Sequence, residues 1–174
     1  MVIQLLGANG AGKSTVVQEL MGVRPRVPLY LWDRRVPDAY SLPDCYVVGH
    51  YEGQACGGGD TLPRAKLSRT IERVLEVAGR RPVLLEGPTG REPTLAGDVR
   101  VVYLRRPAAA CLGNWIVRNQ SKGLRTNVPV MERRVNSCIV RIERMMQAYE
   151  QASITTHVVR SRAEALGCIR EMLT

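Results

Sequence analysis

Phenylalanine is absent from this 174-residue chain, histidine occurs twice, and aromatic residues make up 5% of it. Lysine is almost as scarce. Of 25 basic residues only Lys13, Lys66 and Lys122 are lysines, and the other 22 are arginines. No CxxC pair occurs, since Cys45, Cys56, Cys111, Cys138 and Cys168 all stand singly. That spacing excludes a zinc ribbon or a dithiol redox pair, and an odd count argues against a disulfide framework, so the cysteines are expected to be small buried hydrophobes. No apolar run is long enough to span a bilayer, and no basic leader precedes the first strand at Val2. The expectation is a cytoplasmic protein. Without repeats, low-complexity tracts or linkers, residues 1–174 read as one domain with a full hydrophobic core.

What is present in excess is positive charge. The chain carries a formal +9, and Arg100 to Arg144 holds nine Arg and one Lys against Glu132 and Glu143, a balance of +8. Such a concentration fits a surface that meets phosphates, of a nucleotide or of a nucleic acid backbone. The plainer alternative is a solvated helical face.

Short apolar runs alternate with helical periods. "VIQLL" (2–6), "VPLYLW" (27–32), "PVLLE" (82–86), "VRVVYL" (99–104) and "ITTHVV" (154–159) read as buried strands. Helices are expected from Gly12 to Met21, Arg64 to Ala78, Pro107 to Gln120, about 130 to 151, and after Ser161, where Glu164 completes a capping box. Residues 34–63 read mostly as loop, with "CYVVGHY" a candidate extended stretch. Strands alternating with helices predict a three-layer α/β/α sandwich around a parallel sheet.

"GANGAGKST", residues 7–15, carries the most specific chemistry. Gly7, Gly12, Lys13 and Ser14 match GxxxxGK[ST]. Glycines let the backbone N–H groups of Gly7, Ala8, Asn9, Gly10, Ala11 and Gly12 fold around an anion, and the following helix adds its positive end. Lys13 is expected to reach the β- and γ-phosphates of ATP, Ser14 to ligate Mg²⁺, and Thr15 to add a contact.

Transfer of a phosphoryl group needs a base near the acceptor and an anion near the metal. Glu86, after four apolar residues, suits magnesium through a bound water. Asp33, in "LWDRR", is the better base and acceptor contact, with Arg34 beside it on the substrate side. A salt bridge from Asp33 to Arg34 or Arg35 is the structural alternative. Asp60, in "CGGGDTL", is a candidate acceptor contact or a helix cap. His50 and Tyr51 are candidate contacts to an acceptor base, and Gly57, Gly58 and Gly59 would allow close ligand approach. After the fourth strand, residues 105–129 read as a helical, Arg-rich lid. There Arg118, then Arg125, are the candidates to meet the transferring phosphate, and Trp115 is expected to pack rather than stack on a base.

These motifs together resemble the small P-loop kinases of the nucleoside and nucleotide kinase superfamily. "YLRRPAAACLGNWIVR" is similar to that group's passage from the fourth strand into the lid. The resemblance implies the five-stranded order 2-3-1-4-5. "GHYEGQACGGGD", "SKGLRTN" and the long helix from 130 further resemble bacteriophage-encoded kinases. Some of those act on nucleotides, and others phosphorylate the hydroxymethyl group of 5-hydroxymethyluracil in DNA. That likeness implies ATP, Mg²⁺ and a DNA acceptor. A deoxynucleoside monophosphate kinase is the second expectation, with Arg64, Arg69 or Arg73 gripping the acceptor phosphate. A non-kinase P-loop NTPase is the third, although no NKxD motif is present.

Overall fold

The computed structural model describes residues 1–52, 62, 64–87 and 98–174. At its centre lies β1 (Val2–Leu6), all five residues buried. It pairs in parallel with β5 (Val83–Glu86) on one side and β6 (Val99–Leu104) on the other, and β6 pairs in parallel with β7 (Thr155–Val159). Because alternate residues of a strand face opposite ways, β1 feeds two cores. Ile3 and Leu5 pack with Val16, Val17 and Leu20 of α1 (Lys13–Met21) and Ile169 of α5 (Arg162–Leu173). Val2 and Leu6 pack with Ile71 and Val74 of α2 (Leu67–Ala78) and Ile142, Met146 and Tyr149 of α4 (Val128–Gln151). The result is the predicted α/β/α layering. Among the described residues, no helix is long and apolar enough to cross a membrane.

The predicted five-stranded parallel order is corrected. The sheet has seven strands in the order β2-β3-β4-β5-β1-β6-β7 and is mixed. The five predicted strands keep their relative order, but β3 (Ala39–Ser41) and β4 (Tyr46–Val48) insert between β2 (Val27–Leu29) and β5. β2, β3 and β4 form an antiparallel meander, and β4 pairs in parallel with β5. Two local signals explain this. Pro28 lacks an N–H and is suited to an edge strand; Val27 and Tyr30, read as buried, are 62% and 56% exposed. "LPDC" turns the chain between β3 and β4, with Leu42 N donating to Cys45 O at 2.8 Å, as a Pro-Asp pair favours.

The helices fall close to their predicted places. α4 starts at Val128 because Asn127 caps it, accepting from Val130 N at 3.2 Å, with Pro129 in the first turn. α5 starts with Ser161 accepting from Glu164 N at 3.1 Å. The third helix, α3 (Ala108–Ser121), buries only Cys111 and lies against the loop that follows β1 at Gly10.

Candidate active site

The loop from Gly7 to Gly12 joins the central strand to α1, and it is shaped by close approaches. A Cβ on Gly7 would lie 3.1 Å from Leu104 O, and one on Gly10, where φ is +80°, would lie 2.0 Å from Cys111 O. Ala8 and Ala11 are buried and are joined by a bond from Ala11 N to Ala8 O at 3.0 Å. Gly12 sits at φ +101° as the N-cap of α1, which has no side-chain cap and no acid in its first turn. The helix therefore presents its positive end without a competing anion of its own.

Three predicted residues converge there. Ser14 Oγ donates to Glu86 Oε1 at 2.8 Å, and Lys13 Nζ stands 4.0 Å from the same oxygen while donating to Ala8 O at 3.3 Å. The side chains of Lys13 and Glu86 are 12% and 8% exposed. Glu86 is delivered by the parallel pairing of β5 with β1, which sets it opposite Leu5. Gly87 N continues that ladder to Leu5 O at 2.9 Å. Beneath it, Gln4 is fully buried in the central strand, donating to Gly87 O at 3.2 Å and accepting from Tyr149 OH at 2.7 Å. A buried amide needs such partners. Here they tie the end of β5 to α4.

A hydroxyl and a carboxylate at hydrogen-bond distance are hard oxygen donors that suit magnesium. Mg²⁺ usually takes one or two protein ligands and completes its shell with water and substrate phosphate. Among the described residues, no group of three or more His, Cys, Asp or Glu converges into a metal cage. Ser14 and Glu86, at hydrogen-bond distance from each other, are the residues that could hold such an ion.

Asp33 lies on the connection between β2 and β3 and is exposed. The structural alternative offered for it is not realised among the described residues. Arg34 Nη1 instead meets Asp38 Oδ1 at 2.7 Å. Asp38 has a fully buried side chain, and its Oδ2 accepts from Leu31 N at 2.9 Å and Trp32 N at 3.2 Å. Trp32 is in turn fixed to α2. Its Nε1 donates to Thr70 Oγ1 at 2.8 Å, and Lys66 Nζ and Arg73 Cζ lie 4.7 and 4.3 Å from its ring centroid. Asp33 therefore projects between two immobilised neighbours. Asp38 escaped the sequence reading, although an aspartate following Pro37 in a turn is a familiar acceptor for nearby backbone amides.

His50 and Tyr51 are placed differently from the expectation that they face a ligand. Tyr51 is 4% exposed in the α1-side core, with its hydroxyl donating to Val48 O at 3.3 Å and its carbonyl accepting from Gln18 Nε2 at 3.1 Å. Its ring is packed, not presented for stacking. His50 is 7% exposed, with Nδ1 2.9 Å from Tyr40 OH. Tyr40 also donates to Glu52 Oε2 at 3.3 Å, and Glu52 is held by Arg26 Nε at 2.6 Å. Burial, then the Glu52 charge, pushes the Tyr40 hydroxyl up to about 12. Asp60, Cys56 and the Gly57–Gly59 run lie outside the described residues.

The predicted lid is α3 and the turn after it. α3 rests on the loop from Gly7 to Gly12, Asn114 Nδ2 donating to Gly10 O at 3.0 Å. Trp115 packs against the α1-side core, as expected. Arg118, in the last turn of α3, and Arg125, before α4, are exposed. Among the described residues, neither forms an ion pair with Glu86. Arg105 pairs with Glu143 at 3.4 Å.

No protein-family profile matches the sequence, and no curated protein sequence does. Solved structures do. A deoxyadenosine kinase from M. mycoides, holding its products dCMP and a flexible dCDP, superposes with a TM-score of 0.52 at 13% identity, over 99% of this chain and 98% of that one. A gluconokinase from Sinorhizobium meliloti 1021 gives a TM-score of 0.45 at 14% identity, over 99% and 94%. At such identities the first likeness speaks to architecture alone: the chain shares the α/β fold of that deoxyadenosine kinase.

Proposed function

We propose that this chain is a kinase that transfers the γ-phosphoryl group of ATP to a hydroxyl. The convergence of Lys13, Ser14 and Glu86 at the mouth of an open helix N-terminus carries the reading. Lys13 and the loop amides bind and orient the phosphates, and Ser14 and Glu86 would hold magnesium, which neutralises charge on the phosphate oxygens. The acceptor hydroxyl gives its proton to Asp33, an exposed carboxylate whose chain neighbours Trp32 and Arg34 are held by Asp38. Arg118, with Arg125 second, approaches the transferring group as α3 and the 122–127 turn close over the nucleotide.

For the acceptor, the first reading is the hydroxymethyl group of 5-hydroxymethyluracil in DNA. Exposed Arg118, Arg125, Arg133, Arg134, Arg141 and Arg144 support it by offering a polyanion a broad cationic surface. The second is a deoxynucleoside monophosphate. The solved deoxyadenosine kinase with its products dCMP and dCDP is in keeping with a small deoxynucleoside-type acceptor, and Arg69 and Arg73 are exposed on α2, with Arg73 over the ring of Trp32, next to Asp33 in the chain. Incubation with γ-labelled ATP and a panel of deoxynucleosides, their monophosphates, plain DNA and 5-hydroxymethyluracil DNA decides between them. Label in modified DNA alone selects the first reading, and label in a monophosphate selects the second. No label in any acceptor refutes both.

A further inference from the structure

The phosphate loop has a neighbour that its motif does not include. Arg162, the first residue of α5, lays its stem across Gly12, and a Cβ there would come within 3.0 Å of Arg162 Cδ and 3.4 Å of Cγ. The start of α5 is firmly built. Ser161 Oγ accepts from Glu164 N at 3.1 Å and donates to the Glu164 carboxylate at 2.9 Å, which also accepts from Arg160 N at 3.0 Å. The stem is thus held at the N-cap of α1.

The head of the same side chain is held loosely. Arg162 Nη1 is 3.9 Å from Glu19 Oε1, and the two side chains are 51% and 45% exposed. An exposed pair at that distance contributes little and is screened by salt. From a fixed Cδ, three bonds of about 1.3–1.5 Å let the guanidinium reach roughly 3.5–4 Å in a new direction. Gly12 is the residue at which the loop amides and the α1 terminus meet, where no side chain caps the helix.

We propose that Arg162 is a second phosphate-binding cation of the donor site. With the site empty, Glu19 engages it. When a nucleotide binds, the guanidinium turns about its terminal bonds from Glu19 to the phosphate chain beside Gly12, while the stem stays in place. The inference rests on the reading of the phosphate loop as a nucleotide site and adds to it a ligand exchange. A planar guanidinium can bond two phosphate oxygens at once, which a lysine cannot reproduce. Glu19 is then a competitor of the nucleotide, not a support of the fold.

This arrangement and a purely structural bridge between α1 and α5 predict opposite signs. Binding of ATP, ADP and adenosine to the full chain by titration calorimetry separates them, using wild type, Arg162→Ala, Arg162→Lys, Glu19→Gln and, as a reference, Lys13→Ala. Ligand exchange predicts that Arg162→Ala weakens ATP and ADP about tenfold, since hydrogen bonds to charged groups are of that strength. Adenosine should be unaffected, and Arg162→Lys should recover only part of the loss. Glu19→Gln should tighten ATP about twofold, the strength of an exposed pair. A structural bridge predicts that Arg162→Ala and Glu19→Gln weaken binding together, or leave it within twofold together. Either result overturns the proposal while leaving the nucleotide site standing, provided wild type binds ATP and Lys13→Ala does not. If wild type itself binds no ATP, the nucleotide reading falls first and this inference with it.

Discussion

Arg34 Nη1 lies 2.7 Å from Asp38 Oδ1 and leaves Asp33, its immediate neighbour in the chain, exposed. Two acids five residues apart are thereby divided into different tasks. Asp38 is buried and saturated by Arg34 and two backbone amides. Asp33 keeps its carboxylate exposed, on a backbone that Asp38 and Trp32 hold still. Preorganisation of this kind is what the proposed base role of Asp33 requires.

Replacing Asp33 by Asn should lower phosphoryl transfer by about 10² to 10⁴ in kcat, the usual worth of a general base. The KM for ATP should barely change, because the donor lies at the other carboxylate. Asp38→Asn should act differently. It retains the oxygen for the Leu31 and Trp32 amides but weakens the hold on Arg34, so kcat falls less than in Asp33→Asn while the melting temperature drops. Steady-state rates and thermal melts of both variants test the division. Near-normal turnover in Asp33→Asn would remove the base assignment.

Glu86 offers a separable test. Its Oε1 receives Ser14 Oγ at 2.8 Å and faces Lys13 at 4.0 Å. Glu86→Gln preserves the shape and one acceptor while removing the charge that suits a divalent cation. The magnesium concentration for half-maximal rate should rise, and kcat should fall by at least about tenfold, given the size of metal contributions to phosphoryl transfer. A rate profile against magnesium that overlays wild type would show that Glu86 serves the loop alone.

The loop from Gly7 to Gly12 was legible because its motif is local. Gly7, Lys13 and Ser14 sit at fixed offsets, and their strand and helix flank them in sequence. Glu86 was legible for a related reason, since an acid ending a buried run stops at the edge where parallel sheets place their ligands. The hairpin of β3 and β4 was not. Its strands are three residues each, below the length at which alternation gives a clear period; β4 was read only as part of the candidate extended stretch "CYVVGHY", and β3 not at all. Asp38, Asn114 and Arg162 escaped for another reason. Each acts on a partner supplied by tertiary packing: a turn folded back on itself, Gly10 more than 100 residues away, and Gly12 across the α1–α5 contact. His50 and Tyr51 were misplaced because a polar aromatic pair beside glycines reads alike whether it lines a site or fills a core.

Gly10 links loop and lid. Its φ is +80°, and a Cβ would stand 2.0 Å from the carbonyl oxygen of Cys111 in α3. That obstacle is backbone, so no side-chain rotation relieves it. Gly10→Ala must lift α3 and break the Asn114 bond, or strain the loop, at about 1–3 kcal/mol for the backbone conformation alone. A lower melting temperature and a loss of ATP affinity should appear together. Asn114→Ala, which removes the bond without a clash, should reduce affinity less and leave stability near wild type.

The last prediction concerns pH and the buried network behind the site. Tyr40 is fully buried, donates to Glu52 and meets His50 Nδ1 at 2.9 Å. Burial first, then the charge of Glu52, raises its hydroxyl from the ordinary 10.0 to about 12. Between those values the unfolded chain has released this proton and the folded chain retains it. Folded protein then binds more protons than unfolded, so stability falls as pH rises. The contribution is complete below pH 10 and is lost by about pH 12, an effect on the order of 2 kcal/mol. Tyr40→Phe has no such proton. It should be the less stable protein at pH 8, where it lacks the bonds to His50 and Glu52. Its denaturation midpoint should approach that of wild type as pH climbs toward 12. Urea unfolding of the two proteins at pH 8, 10 and 11.5 measures the gap. A gap that stays constant would mean that the hydroxyl ionises alike in both states, and that the network does not hold its proton.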